Sequence, residues 1–234
     1  MHPASDNDDA VDRDAVAPDA MAHLAPSLDE LVDRAAELRA TAPANRRLLI
    51  GIAGAPGVGK STLAGTLVAE LLDLGIPAAH VPMDGFHLAD AALEQLGRRE
   101  RKGAPDTFDA AGYAALLMRL AAGEAVWAPA FERNLEQPLA QAIHVDRDAE
   151  VIISEGNYLL LHAPEWRAVR RWFDEVWFCA LDDDLRRERL IARHIEFGKD
   201  PEQARAWVMR VDEANARAVA GGAADADLLI DLSC

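Results

Sequence analysis

The chain has 234 residues, half of them hydrophobic and 27% charged, with a formal net charge of −16. That length suits one sizeable α/β core rather than two. The acidic balance excludes a general nucleic-acid or anionic-membrane binder, both of which need basic surface. No apolar run approaches the roughly 20 residues of a membrane helix, and the first residues lack a basic-then-apolar leader pattern. Cys179 and Cys234 are too few for a disulfide framework, so a cytoplasmic protein is expected.

Residues 1–26 are rich in Ala, Asp and Pro without periodicity, and read as a disordered acidic tail before a single domain over 27–234. Ser27 and Glu30 form a capping box, and Leu28, Leu31, Ala35 and Leu38 recur at helical spacing up to Pro43. RRLLIGIAG reads as a buried parallel strand with Arg on its outer side. A helix is expected from about Lys60 to Leu74, a strand over Ala79–Met83, and a helix from Asp109. VIISEG and EVWFCALD read as strands, residues 183–197 and 201–220 as helices, and DLLIDL as a closing strand. The alternation predicts an α/β fold with a mostly parallel sheet covered on both faces. Residues 126–146 interrupt it and read as an inserted hairpin or flap.

GAPGVGKS matches GxxxxGK[ST] at every fixed position, after a strand and at the start of a helix, which predicts a P-loop. Gly54, Ala55, Pro56, Gly57, Val58, Gly59, Lys60, Ser61 and Thr62 form the expected phosphate cradle. Its N–H groups would hold ATP phosphates at a helix N-terminus, Lys60 on a solvent-facing loop would reach the β- and γ-phosphates, and Ser61 would ligate Mg²⁺. No NKxD guanine signature is present.

Ligands gather at the carboxyl ends of strands in such sheets. Asp84, in HVPMDGFH, is expected there, on a strand beside the P-loop strand. It suits a base for a substrate hydroxyl, or a helix N-cap. His87 would contact the same substrate or pack in the interior. Glu155 ends VIISEG, either as a metal-holding acid or as a surface residue. Arg186, Arg189 and Arg193 share one helix face by their spacing. They suit a lid that clamps the transferred phosphoryl, or a solvated helix paired with Asp182, Asp183, Asp184 and Glu188. RRERKGAPDTFD is a second basic loop, a contact for an anionic ligand or a solvated charge run.

Together these segments resemble the superfamily of uridine kinase, phosphoribulokinase and bacterial pantothenate kinase, from about Arg47 to the C-terminus. The likeness is nearest to a bacterial branch labelled nucleoside/nucleotide kinase-like or fructose-transport-associated kinase-like. GAPGVGKST resembles its Walker A, and MDGFH the element whose Asp is the catalytic base, carrying that role to Asp84. RKGAPDTFD resembles a substrate-side loop of pantothenate kinases, which carries acceptor binding to Lys102. SEGNYLLL resembles the strand ending in a Mg²⁺-assisting acid, here Glu155. The Arg-rich lid carries phosphate contacts to Arg186, Arg189 and Arg193. PAFERNLEQP resembles a PxFDR element with Glu132 in place of Asp, and adds Arg133 to the substrate residues. The resemblance implies a P-loop fold with a mobile lid, and an ATP-dependent kinase acting on a hydroxyl of a sugar, nucleoside or pantothenate-like molecule. Lys60, Asp84 and Arg193 are the expected catalytic groups. The competing reading is a nucleotide-hydrolysing switch or chaperone-type NTPase with a protein partner. A homodimer is compatible with the sequence.

Overall fold

The computed structural model describes residues 26–43 and 45–233; the expected acidic tail lies almost wholly outside them. The chain runs α1 (Leu28–Thr41), β1 (Leu48–Gly54), α2 (Lys60–Asp73), β2 (Ala78–His80), α3 (Asp90–Gln95) and α4 (Ala110–Ala121). It continues with β3 (Val126–Glu132), β4 (Gln137–Val145), β5 (Val151–Glu155), α5 (Pro164–Arg170) and β6 (Glu175–Ala180). Helices α6 (Asp183–Glu196), α7 (Pro201–Trp207) and α8 (Glu213–Ala220) lead to β7 (Leu228–Asp231).

Five strands form one parallel sheet in the order β2-β5-β1-β6-β7. β1 is buried along its whole length, as an apolar central strand requires. Its residues alternate between two cores. Leu49 and Ala53 face the side of α4 and α5, packed with Tyr113, Leu117 and Trp166. Leu48, Ile50 and Ile52 face α1 and α2, packed with Leu31, Leu67 and Leu71. Each such buried side chain contributes about 1.5–3 kcal/mol of apolar burial. The α/β P-loop fold follows, and the 126–146 insert is the antiparallel hairpin β3–β4. Among the described residues no helix is long and apolar enough to cross a membrane.

Three expectations change. β2 ends at His80, because Pro82 cannot donate to a ladder and the chain turns into a single 3-10 turn, Met83–Phe86. Asp84 therefore sits one turn beyond the strand, and β5 separates β2 from β1. Arg47 does not lie on the outside. It is 4% exposed, and its guanidinium donates to the carbonyls of Leu120, Glu124, Asp146 and Ala149, tying β1 to the far side of the sheet. The expected helical stretch over 201–220 is present and continuous, with a π-helical turn at Val208–Asp212 between α7 and α8, a distortion common at functional sites.

Candidate active site

The P-loop joins β1 to α2. Gly59 is the helix N-cap at φ 106°, a left-handed conformation, and no side chain caps the helix. The first N–H groups of a 14-residue helix are thus left for an anion. Lys60 is not solvent-facing as expected; it is 7% exposed. Its Nζ donates to the Ala55 carbonyl at 2.9 Å and to Asn157 Oδ1 at 2.8 Å. Burial pulls its pKa down, against the attraction of Glu155 and Asp84. Ser61 Oγ donates to Glu155 Oε1 at 2.9 Å. Glu155, buried at the end of β5, has its pKa raised by burial and by the Asp84 charge, with Lys60 opposing. His80 Nε2 is buried with no hydrogen-bond partner, 3.9 Å from Glu155 Oε1. A hydroxyl, a carboxylate and an orphaned nitrogen that wants a water proton make a setting for a hydrated, oxygen-preferring cation. No cluster of three His, Cys, Asp or Glu occurs among the described residues.

Across the cleft, Asp84 rides on its 3-10 turn. A Cβ on Gly85 would collide with the Pro129 carbonyl, so only glycine lets the hairpin seat against that turn. The turn of the hairpin then brings Arg133 Nη2 to 3.4 Å from Asp84 Oδ2. Lys102 Nζ is held by Asp90 Oδ1 at 2.7 Å and by the Glu136 carbonyl, 5.4 Å from the centre of the Phe131 ring. His87 Nδ1 meets the Asp84 carbonyl at 2.8 Å. Asp84 caps no helix; Ala89 is the N-cap residue of α3.

The arginines of α6 divide. Arg189 and Arg193 line the cleft and have no hydrogen-bond or ion-pair partner among the described residues. Burial pulls the Arg193 pKa down and Arg133 adds repulsion, so an anion between these two guanidinium groups relieves both. Arg186 is 1% exposed and lies behind the P-loop, bonded to Glu213 Oε1, to Asp183 Oδ1 at 3.0 Å and to the Pro56 carbonyl at 3.5 Å. The P-loop, Asp84, His87, Lys102, Arg133 and Glu155 all line one cleft of about 1220 Å³.

The "Phosphoribulokinase / Uridine kinase family" model matches residues 49–233. The chain belongs to this family. It is 35% identical to the "Uncharacterized protein YggC" of Escherichia coli (strain K12) over 192 residues, 80% of this chain and 79% of that one. It is 33% identical to the "Putative uridine kinase C227.14" of Schizosaccharomyces pombe, covering 74% of this chain and 75% of the relative. The structure matches that of a "putative fructose transport system kinase" from Silicibacter sp. TM1040 at TM-score 0.81 and 38% identity, over 87% of this chain and 98% of that one. This phosphoribulokinase/uridine kinase family member is a P-loop phosphotransferase of the kinase type.

In this family member the nominated residues converge, apart from Gly54 and Ala55, which lie behind the rest of the P-loop, and Arg186, which faces Glu213 rather than the cleft. Sequence reasoning missed Asn157, which receives the Lys60 ammonium. Its signal is slight: a polar residue two positions after a strand-end acid. It also missed Asn215, whose amide donates to the Gly103 carbonyl at 3.2 Å from a helix 112 residues away. No local pattern marks such a contact.

Proposed function

We propose that the protein transfers the γ-phosphoryl of ATP to a hydroxyl of a small metabolite, a sugar, nucleoside or pantothenate-like molecule. The observation that carries this reading is the single cleft lined by the P-loop on one side and by Asp84, His87 and the hairpin on the other. A nucleotide switch needs no second chamber beside its phosphates; a kinase does.

The free N–H groups at the start of α2 receive the phosphates. Lys60, turning from Asn157, neutralises the β- and γ-oxygens. Ser61 and Glu155 would hold Mg²⁺, which supplies charge neutralisation between the phosphates when bound. Asp84 takes the acceptor's proton as the acceptor oxygen bonds to the γ-phosphorus. The bond from that phosphorus to the ADP oxygen breaks, and ADP leaves with the electron pair. Arg189 and Arg193, unpaired at the cleft, stabilise the equatorial oxygens in transit. Lys102 and Arg133 contact the acceptor.

The test is incubation with ATP, Mg²⁺ and a panel of hydroxylated metabolites, read by mass spectrometry. A product heavier by one phosphoryl group is expected. ATP hydrolysis that ignores every panel member contradicts the reading.

A further inference from the structure

The β2–β5 ladder ends where His80 pairs with Ile153, before Asp84 is reached. Val81 N–H still donates to the Ile153 carbonyl at 3.0 Å, but Pro82 has no N–H to carry the pairing on. Asp84 then rides on a single 3-10 turn, one strand further from the P-loop than Glu155, because β5 lies between β2 and β1. A base must come within about 2.6–3.2 Å of the proton it takes. Groups other than the strand ladder must therefore hold this turn in place.

Two buried hydroxyls meet it on the α4 side of the sheet. Ser154, next to Glu155 on β5, donates from Oγ to the Val81 carbonyl. Tyr113, on α4, has its hydroxyl 2.6 Å from Ser154 Oγ. The carbonyl only accepts and Ser154 has one hydroxyl proton, so the chain runs one way, from Tyr113 O–H to Ser154 and from Ser154 O–H to Val81. Burial raises the Tyr113 pKa, so the phenol keeps the proton it donates. The Tyr113 ring also packs on Phe86, the last residue of the turn, at a centroid distance of 4.9 Å. The Phe86 carbonyl accepts from Asp109 N–H at 2.8 Å, at the N-cap of α4.

The segment carrying Asp84 is thus held on both sides, at Val81 through a hydroxyl and at Phe86 through a ring. Neither Tyr113 nor Ser154 lines the cleft. Both are fully buried, in a core where apolar side chains would fill the same space without the cost of burying polar groups. What the hydroxyls add is direction, since a satisfied buried network fixes one arrangement of the elements it joins. Resting on the phosphotransferase reading, we propose that Ser154 and Tyr113 are positioning residues that set the Asp84 carboxylate relative to Glu155 and the P-loop, and that they act on phosphotransfer only through Asp84. Ser154→Ala frees the Val81 carbonyl and leaves the Tyr113 hydroxyl without its acceptor. Tyr113→Phe removes one bond and keeps the ring on Phe86, so it is the milder change.

The test is a double-mutant cycle. Ser154→Ala and Tyr113→Phe are made in the wild type and in the Asp84→Asn background, and kcat on the panel acceptor that gives product, ATP affinity and Tm are measured for each. A second readout, independent of transfer, is the ¹³Cγ resonance of Asp84 in the full chain labelled at aspartate, assigned by its loss in Asp84→Asn. Expected in the wild-type background is a kcat lowered about 10- to 10²-fold by Ser154→Ala and about three- to tenfold by Tyr113→Phe, with ATP affinity within about twofold. In the Asp84→Asn background, where no base remains to misplace, each change should lower kcat by under about twofold. The losses in Tm should be the same in both backgrounds, and the Asp84 resonance should shift or broaden in both variants. An unchanged kcat, or an equal fall in both backgrounds, overturns the proposal and leaves the kinase reading intact. If Ser154→Ala does not fold, Tyr113→Phe carries the same comparison. A displaced Asp84 resonance in a protein that forms no phosphorylated product supports the positioning and removes the kinase reading. Neither product nor displacement overturns both.

Discussion

Lys60 Nζ rests 2.8 Å from Asn157 Oδ1, so the P-loop ammonium already has a partner before any phosphate arrives. It is also nearly buried. Lys60→Ala should abolish phosphotransfer, since the ammonium that neutralises the β- and γ-oxygens at the helix start is lost. It should also lower stability, contrary to what a solvent-facing lysine would do. The Ala55 carbonyl and the Asn157 amide lose their donor, at about 1–3 kcal/mol in total. That corresponds to roughly 2–12 °C in Tm for a chain of this size. Calorimetry and a transfer assay on the same sample check both parts; a folded variant with near-normal transfer removes the P-loop from the mechanism.

Glu155 gives a pH prediction. Its folded pKa is raised by burial and by Asp84, so the native state holds a proton that the unfolded chain releases near the ordinary carboxylate value. The contribution of Glu155 to stability is therefore full below that value and declines as pH rises toward the raised pKa. A divalent cation with ATP takes the ionised carboxylate, so binding expels this proton and strengthens with pH over the same window. Titration calorimetry in two buffers of different ionisation enthalpy should show the wild type releasing more protons than Glu155→Gln. Equal release by both proteins would remove Glu155 from the cation site.

The two arginines of α6 predict opposite phenotypes. Arg186 is buried on Glu213, whose pKa burial raises but the hydrogen bonds from Arg186 and Arg187 lower overall. Arg186→Ala leaves that carboxylate buried with less compensation and should cost about 3–5 kcal/mol of stability. Arg193 has no hydrogen-bond or ion-pair partner among the described residues, so Arg193→Ala should melt near the wild type while kcat falls more than ATP affinity. Thermal melts and steady-state kinetics of both variants separate the roles. Loss of ATP affinity with unchanged kcat would make Arg193 a ground-state binder.

Local patterns made much of this protein legible. The P-loop needs glycines and a Lys-Ser pair in fixed order, and the parallel strands need continuous apolar runs, so both stand out in the sequence. The strand order does not, because which strand lies beside β1 is decided by crossover connections rather than by the strands' own residues. That is why Asp84 was expected one strand too near. The burial of Arg47 depends on four carbonyls, the nearest 73 residues away in sequence, and an arginine before a strand otherwise reads as surface. The Arg186–Glu213 pair joins α6 to α8 across the π-turn, so spacing on α6 alone placed Arg186 with its neighbours. The Asn157 contact needs the β5 end to lie beside the P-loop, which only the folded sheet supplies.

The central claim is that Asp84 receives the acceptor's proton. Its carboxylate caps no helix, and its side-chain contact is Arg133 at 3.4 Å, so Asp84→Asn has little structural role to disturb. An amide of the same size cannot take a proton at neutral pH. The decisive measurement is the phosphotransfer rate of Asp84→Asn on whichever panel acceptor the wild type phosphorylates, with ATP affinity and Tm taken from the same preparation. The account predicts a rate reduced by about 10²-fold or more, with ATP affinity and Tm near the wild type. Turnover within a few-fold of the wild type in a stable, ATP-binding Asp84→Asn protein would contradict it.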